Sequence, residues 1–101
     1  MKRFVILPYA ETDIKDTVHF YKARTEGFEK DFIKLIDASF LKISNNPEGF
    51  PKVKYDIRKF VVPKYSFCIY YVDRAEVLYI LAIFHDRRNP KNWQKRRLIK
   101  L

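Results

Sequence analysis

The first half of the chain alternates between a short strand pattern and two helical patterns. Residues 3–7 form a β-branched and aromatic run that ends at Pro8, which predicts a strand. A helix is predicted from Ala10 onward and is expected to stop at Gly27. A second helix is predicted from Phe28 to the Ser44–Pro47 segment. Its apolar stripe consists of Phe28, Phe32, Leu35, Ile36, Phe40 and Ile43.

After residue 51 the apolar period becomes two, which predicts strands. One strand is expected over residues 52–62, with a bulge, and it leads to a turn at Pro63–Lys64. The next strand is expected over 65–72, and an apolar return strand over 76–84. Asn89–Pro90 is typical of a helix start and predicts a short basic helix through Arg97.

This order, β-α-α-β-β-β-α, predicts an α+β fold in which a helical hairpin packs on a small antiparallel sheet. With 101 residues, the chain is expected to form a single domain over 1–101. We expect the sheet face opposite the helices to carry much of the basic surface.

Composition excludes several classes of protein. The sequence has 48% apolar residues, too many for intrinsic disorder, and no apolar run of about 18 residues that would span a membrane. One Cys and 2 His argue against disulfides and common zinc sites, so no metal and no cofactor is expected. The N-terminus lacks a secretory pattern. A soluble, cytoplasmic protein without membrane contact is the prediction.

The net charge of +9 belongs entirely to the second half of the chain. Residues 1–50 hold 8 basic and 8 acidic side chains, whereas residues 51–101 hold 13 basic and 4 acidic ones. Such a surface attracts polyanions or acidic proteins in a salt-dependent way.

Two basic clusters contain the candidate binding residues. The first comprises Lys52, Lys54, Arg58, Lys59 and Lys64, and the second comprises Arg87, Arg88, Lys91, Trp93, Arg96 and Arg97. Guanidinium groups suit phosphate or carboxylate, while Trp93 is either an anchor for the last helix or a contact for a partner. His85 is either a general acid or base or a histidine that fixes a turn beside Asp86. Cys68, inside an apolar strand, is expected in the core.

In order and spacing, the segments resemble the RelE/ParE superfamily of toxins from bacterial type II toxin–antitoxin modules over essentially the whole chain. The resemblance rests on the segments 8–14 (PYAETDI), 43–51, 57–71 (with IRKF and YSFCIYY) and 80–90. It implies a growth-inhibiting toxin that is neutralised by a cognate antitoxin. It also implies that the toxin contacts operator DNA only through that antitoxin.

The superfamily contains two best-known activities. RelE-like members cleave mRNA on the ribosome, and for them the resemblance implies catalytic roles for His85, Arg58 and Arg87. ParE-like members inhibit DNA gyrase. The strand that carries an arginine in ribonuclease members has Phe67 here, so the sequence favours the gyrase branch. A ribosome-dependent mRNA endonuclease and an inactive homologue acting as co-repressor are the alternatives.

Overall fold

The computed structural model describes residues 2–86. The elements in chain order are β1 (Arg3–Ile6), α1 (Pro8–Lys22), α2 (Phe28–Asn45), β2 (Lys52–Lys54), β3 (Ile57–Val61), β4 (Phe67–Asp73) and β5 (Val77–His85). The C-terminal helix predicted over 89–97 lies outside the described residues.

The five strands form one sheet in the order β1-β5-β4-β3-β2. The meander from β2 to β5 is antiparallel, as predicted. β1, however, pairs in parallel with β5, so the sheet is mixed rather than purely antiparallel. The α+β class and the helical hairpin over the sheet are confirmed. A parallel pair needs a long crossover, and the two helices supply part of the long connection between β1 and β5.

The segment predicted as one strand over 52–62 is two strands. Tyr55 has a positive φ of 54°, and the chain turns at Tyr55–Asp56 so that β2 pairs back on β3. The carboxylate of Asp56 lies 2.8 Å from Arg74 Nη1, which ties this turn to the β4–β5 hairpin. The register of β2 against β3 shifts between Lys52 and Lys54, so the segment contains an irregularity of the kind predicted. A second shift lies at Leu81 in β5, against β4.

The helices begin and end close to the predicted positions, with two corrections. Pro8 starts α1, two residues before Ala10, because proline suits the first helical turn. α1 ends at Lys22 rather than at Gly27. Gly27 instead precedes α2 with φ 75°, a left-handed conformation that glycine adopts without steric cost.

The main core lies between the helices and one sheet face. Aromatic rings dominate it: Phe28 stacks on Tyr21 at 4.6 Å and on Phe32 at 5.1 Å between ring centroids. Phe67, in turn, meets Phe32 edge-on at 5.2 Å. These rings therefore pack as core, as the helical stripe predicts.

The second sheet face is apolar at its centre, which corrects the expectation that it would carry much of the basic surface. Buried residues of this face form a second cluster: Ile57, Cys68, Tyr70, Val72, Leu81, Ala82 and Phe84. Lysines on the neighbouring strands β2 and β3, Lys52, Lys54 and Lys59, are exposed or half-buried. Among the described strand residues, basic side chains therefore concentrate on β2 and β3.

Candidate functional site

His85 stands at the end of β5, beside the start of β4. Its register partner is Phe67, whose ring it meets edge-on at 5.5 Å. Its side chain is 35% exposed, and Nδ1 lies 3.3 Å from the carboxylate of Asp86. The imidazole is thus held between a buried ring and an acidic neighbour. Both roles that the sequence allows for His85 stay predictions: the contact with Asp86 can fix the turn, and the exposed part of the ring can transfer a proton.

A cleft of about 250 Å³ opens between α1 and the end of β5, with His85 in its wall. Aromatic side chains and two carboxylates line it. Asp13 is 6% exposed, and its Oδ2 accepts a 3.0 Å hydrogen bond from the Ile83 amide. Because the described lining is acidic and aromatic, it does not provide the cations that hold a scissile phosphate.

Arg58 lies on β3 and is committed to the loop before β2. Its guanidinium donates to the carbonyl oxygens of Phe50 at 2.7 Å and Glu48 at 3.3 Å. Its register partner is Tyr71, four residues along β4 from Phe67. Four residues along and two strands across place Arg58 about 16 Å from His85 between Cα atoms. The structure therefore does not bring the two together.

Tyr71 supports the same loop from the sheet. It is fully buried, and its hydroxyl donates a 2.6 Å hydrogen bond to the Pro47 carbonyl. Burial raises the pKa of Tyr71 to about 12, against the lowering effect of the nearby Arg58 charge. Arg58 and Tyr71 together fix residues 47–50, a structural role that the sequence did not indicate.

The lysines predicted for binding lie mainly on the β2–β3 side. Lys52 and Lys54 are exposed on β2, and Lys59 is half-buried on β3. Lys64 lies on the β3–β4 turn, where its Nζ is 2.6 Å from Asp31 Oδ2. Lys52, Lys54, Arg58 and Lys59 thus form one basic border, whereas Lys64 is paired with α2.

The turn before β4 contains a cluster that the sequence analysis missed. Lys64, Tyr65 and Ser66 all have positive φ, between 58° and 68°, so β4 begins at Phe67 and not at residue 65. The Tyr65 hydroxyl donates to Asp31 Oδ2 at 2.7 Å. Hydrogen bonds from Lys64 and Tyr65 lower the pKa of the Asp31 carboxyl. Pro63–Lys64 predicts a turn here, but no local signal reveals the cluster, because its contacts join residues more than 30 positions apart.

The remaining predicted site residues, Arg87, Arg88, Lys91, Trp93, Arg96 and Arg97, lie outside the described part of the chain. Cys68 is buried as predicted, and burial raises the pKa of its thiol. Within residues 2–86, no group of three or more His, Cys, Asp or Glu side chains is placed to hold a metal ion. Of the helices in that range, none has the length and apolar character needed to cross a membrane.

Comparison with known families decides the classification. Residues 4–90 match the family model described as the ParE toxin of the type II toxin–antitoxin system, parDE. The chain belongs to the ParE toxin family. This membership confirms the resemblance drawn from the sequence. The protein is therefore a toxin of a type II toxin–antitoxin module.

A solved structure agrees at the level of the ParE fold. It is described as the chromosomal ParDE TA system from P. aeruginosa, and the matching chain has 17% sequence identity and a TM-score of 0.72. The match covers 84% of this chain and 96% of that one. At this identity the likeness establishes the fold alone. The search of curated proteins yields no match.

Proposed function

We propose that this ParE-family protein is a growth-inhibiting toxin that acts by binding DNA gyrase and is neutralised by a cognate antitoxin. The residues around His85 are the observation that favours gyrase binding over RNA cleavage. Phe67, 3% exposed, occupies the neighbouring position on β4, where superfamily ribonucleases carry an arginine. A buried ring cannot neutralise a phosphate, so His85 lacks that charge partner on β4.

The distribution of the cations supports the same mechanism. The Arg58 guanidinium donates hydrogen bonds to two backbone carbonyls. The Cα atoms of Arg58 and His85 lie about 16 Å apart. Phosphoryl-transfer chemistry on RNA needs an acid or base and a cation within hydrogen-bond reach of the same group. Among residues 2–86, His85 and Arg58 lie too far apart to contact the same phosphate. Binding to a protein surface does not require an acid or base and a cation to meet at one point.

The RelE-like alternative, a ribosome-dependent mRNA endonuclease, is favoured by one feature. His85 is partly exposed at a cleft wall, and the Asp86 carboxylate 3.3 Å from Nδ1 can orient the ring for proton transfer. In that mechanism Arg87 and Arg88 would bind the phosphate. The inactive co-repressor is the third possibility, and growth measurements separate it from both toxins.

Induction in the native host tests the proposal. Expression of the full chain alone should arrest growth. Co-expression of the antitoxin, which we expect the adjacent reading frame to encode, should relieve the arrest. Plasmid topology and the 5′ ends of transcripts are then measured from the same cultures. We expect altered supercoiling without codon-linked new 5′ ends. New 5′ ends that His85→Ala abolishes would establish the nuclease instead, and normal growth would leave only the co-repressor role.

A further inference from the structure

The turn between β3 and β4 has a strained backbone. Lys64, Tyr65 and Ser66 have φ of 68°, 62° and 58°, so three consecutive non-glycine residues adopt the left-handed conformation. In that region the Cβ atom lies too close to the following carbonyl oxygen, so a run of such residues is unfavourable by itself. Contacts from outside the turn must therefore stabilise it.

Asp31 of α2 supplies those contacts. Its Oδ2 accepts hydrogen bonds from Lys64 Nζ at 2.6 Å and from the Tyr65 hydroxyl at 2.7 Å. The Tyr65 ring also packs edge-on against Phe28, at 4.9 Å between ring centroids, and thereby joins the main core. One carboxylate thus ties two of the three left-handed residues to α2.

The third residue of the turn connects it to the end of β5. The Ser66 carbonyl accepts a 2.9 Å hydrogen bond from the Asp86 amide. The residue after Ser66, Phe67, is the register partner of His85. Because the direction of the Ser66 carbonyl depends on the backbone angles of the turn, a turn that relaxes would take the acceptor away from the Asp86 amide.

Asp86 stands directly before the second basic cluster. Arg87 and Arg88, two of the predicted binding residues, follow it in the sequence. A fixed Asp86 amide limits the positions that these two cations can take. Preorganised groups lose less conformational freedom on binding, so a carboxylate on α2 can strengthen binding without touching the partner.

We propose that Asp31 is a positioning residue: through Tyr65 and Ser66 it fixes the Asp86 amide, and with it the start of the second basic cluster. The inference rests on the proposed function for the identity of the target, DNA gyrase. It adds a residue of the helical hairpin to the determinants of target binding, and it gives the strained turn a role beyond stability.

The test compares the full-length wild type with Asp31→Ala, with Asp31→Ala/Ser66→Gly and with the matched control Asp37→Ala. Asp37 is an exposed acidic residue of the same helix. Ser66→Gly serves as the rescue, because glycine adopts φ 58° without steric cost and should keep the turn in place when the Asp31 contacts are gone.

Two quantities are measured on each protein. NMR follows hydrogen exchange of the Asp86 amide, with the Leu7 amide as the reference for global stability. Leu7 donates to the Ile80 carbonyl at 3.1 Å, on the β1 side of β5. The second quantity is the toxin concentration that halves supercoiling by gyrase.

In Asp31→Ala we expect Asp86 exchange to accelerate at least about tenfold without a comparable change at Leu7, because the opening is local. The half-inhibitory concentration should rise about tenfold. Ser66→Gly should restore both values toward the wild type, and Asp37→Ala should change neither. If Asp31→Ala does not fold, Tyr65→Phe takes its place, since it removes only one hydroxyl.

Unchanged Asp86 exchange in Asp31→Ala overturns the inference. An equal acceleration at Leu7 also overturns it, because the loss of stability is then global. Faster Asp86 exchange with undiminished gyrase inhibition shows that the positioning does not serve binding, and it too overturns the inference. A folded wild-type toxin that leaves gyrase unaffected overturns the proposed function, and the exchange data alone then decide the positioning of Asp86.

Discussion

The Asp13 carboxylate reaches from α1 to accept a 3.0 Å hydrogen bond from the Ile83 amide of β5. The pairing of β1 with β5 ends where the Leu7 amide donates to the Ile80 carbonyl, yet β5 continues to His85. Asp13 therefore accepts the hydrogen bond of the Ile83 amide, which lies past the end of the β1–β5 pairing. It joins the helical hairpin to the end of the sheet that carries His85.

Replacement of Asp13 by Ala should lower the free energy of unfolding by about 1–3 kcal/mol, because the buried Ile83 amide loses its acceptor. Asp13→Asn keeps an acceptor oxygen and should cost less. Urea denaturation measures both, with Asp16→Ala as the exposed control on the same helix. Equal stability of Asp13→Ala and the wild type would show that this amide finds another partner.

The Asp31 cluster predicts a specific titration. Hydrogen bonds from Lys64 and Tyr65 lower the pKa of the Asp31 carboxyl below its ordinary value of 3.8. The stability that they provide is present above the unfolded-state pKa and is lost as the pH falls through the folded-state pKa. In an NMR titration, Tyr65→Phe should raise the Asp31 pKa toward 3.8. A pKa that does not change in Tyr65→Phe or Lys64→Ala would contradict the contacts.

Tyr71 predicts the opposite sign at alkaline pH. Its pKa is raised from 10.0 to about 12, so the unfolded chain loses this proton first and the free energy of unfolding falls as pH rises from 10 to 12. Tyr71→Phe should be less stable at pH 7, because the bond to the Pro47 carbonyl is lost, and should decline less steeply above pH 10. Parallel pH profiles of the two proteins would refute the assignment.

The left-handed run before β4 predicts a stabilising substitution. Ser66 has φ 58°, a conformation that costs a non-glycine residue about 1 kcal/mol. Ser66→Gly should raise the free energy of unfolding by a few tenths of a kcal/mol, since glycine's unfolded-state entropy offsets part of the relief. Ser66→Val should lower it. Thermal unfolding compares the two, and a stabilising Ser66→Val would rule out backbone strain at this turn.

Elements that depend on local pattern were predictable from the sequence. The spacing of Phe28, Phe32 and Ile36 predicts α2 and its buried face because both follow from the helical period. The apolar run before His85 likewise predicts β5 to within one residue at each end.

Features that depend on distant contacts were not predictable. The alternation of Val53, Tyr55 and Ile57 continues through the turn that separates β2 from β3, and a positive φ at tyrosine has no sequence signature. Asp56 holds that turn through Arg74, a contact 18 residues along the chain. The parallel pairing of β1 with β5 depends on the long crossover connection between these strands, which no local period records.

The candidate site divides in the same way. The sequence predicts that His85 lies at the end of a strand and that Phe67 lies on the neighbouring strand in place of a cation. In the structure His85 ends β5, and Phe67 is its register partner on β4. Arg58 stays a prediction as a target- or phosphate-binding residue, and the sequence did not indicate that its Nη1 donates to the Phe50 and Glu48 carbonyls.

Inhibition of purified gyrase from the native host is the most direct test of the proposed mechanism. Relaxed plasmid, gyrase and ATP are incubated with the full-length toxin, with His85→Ala and with the toxin bound to the adjacent frame's product. We predict that the toxin and His85→Ala inhibit supercoiling alike and that the bound toxin does not. Unimpaired supercoiling in the presence of a folded toxin that arrests growth would contradict the proposal.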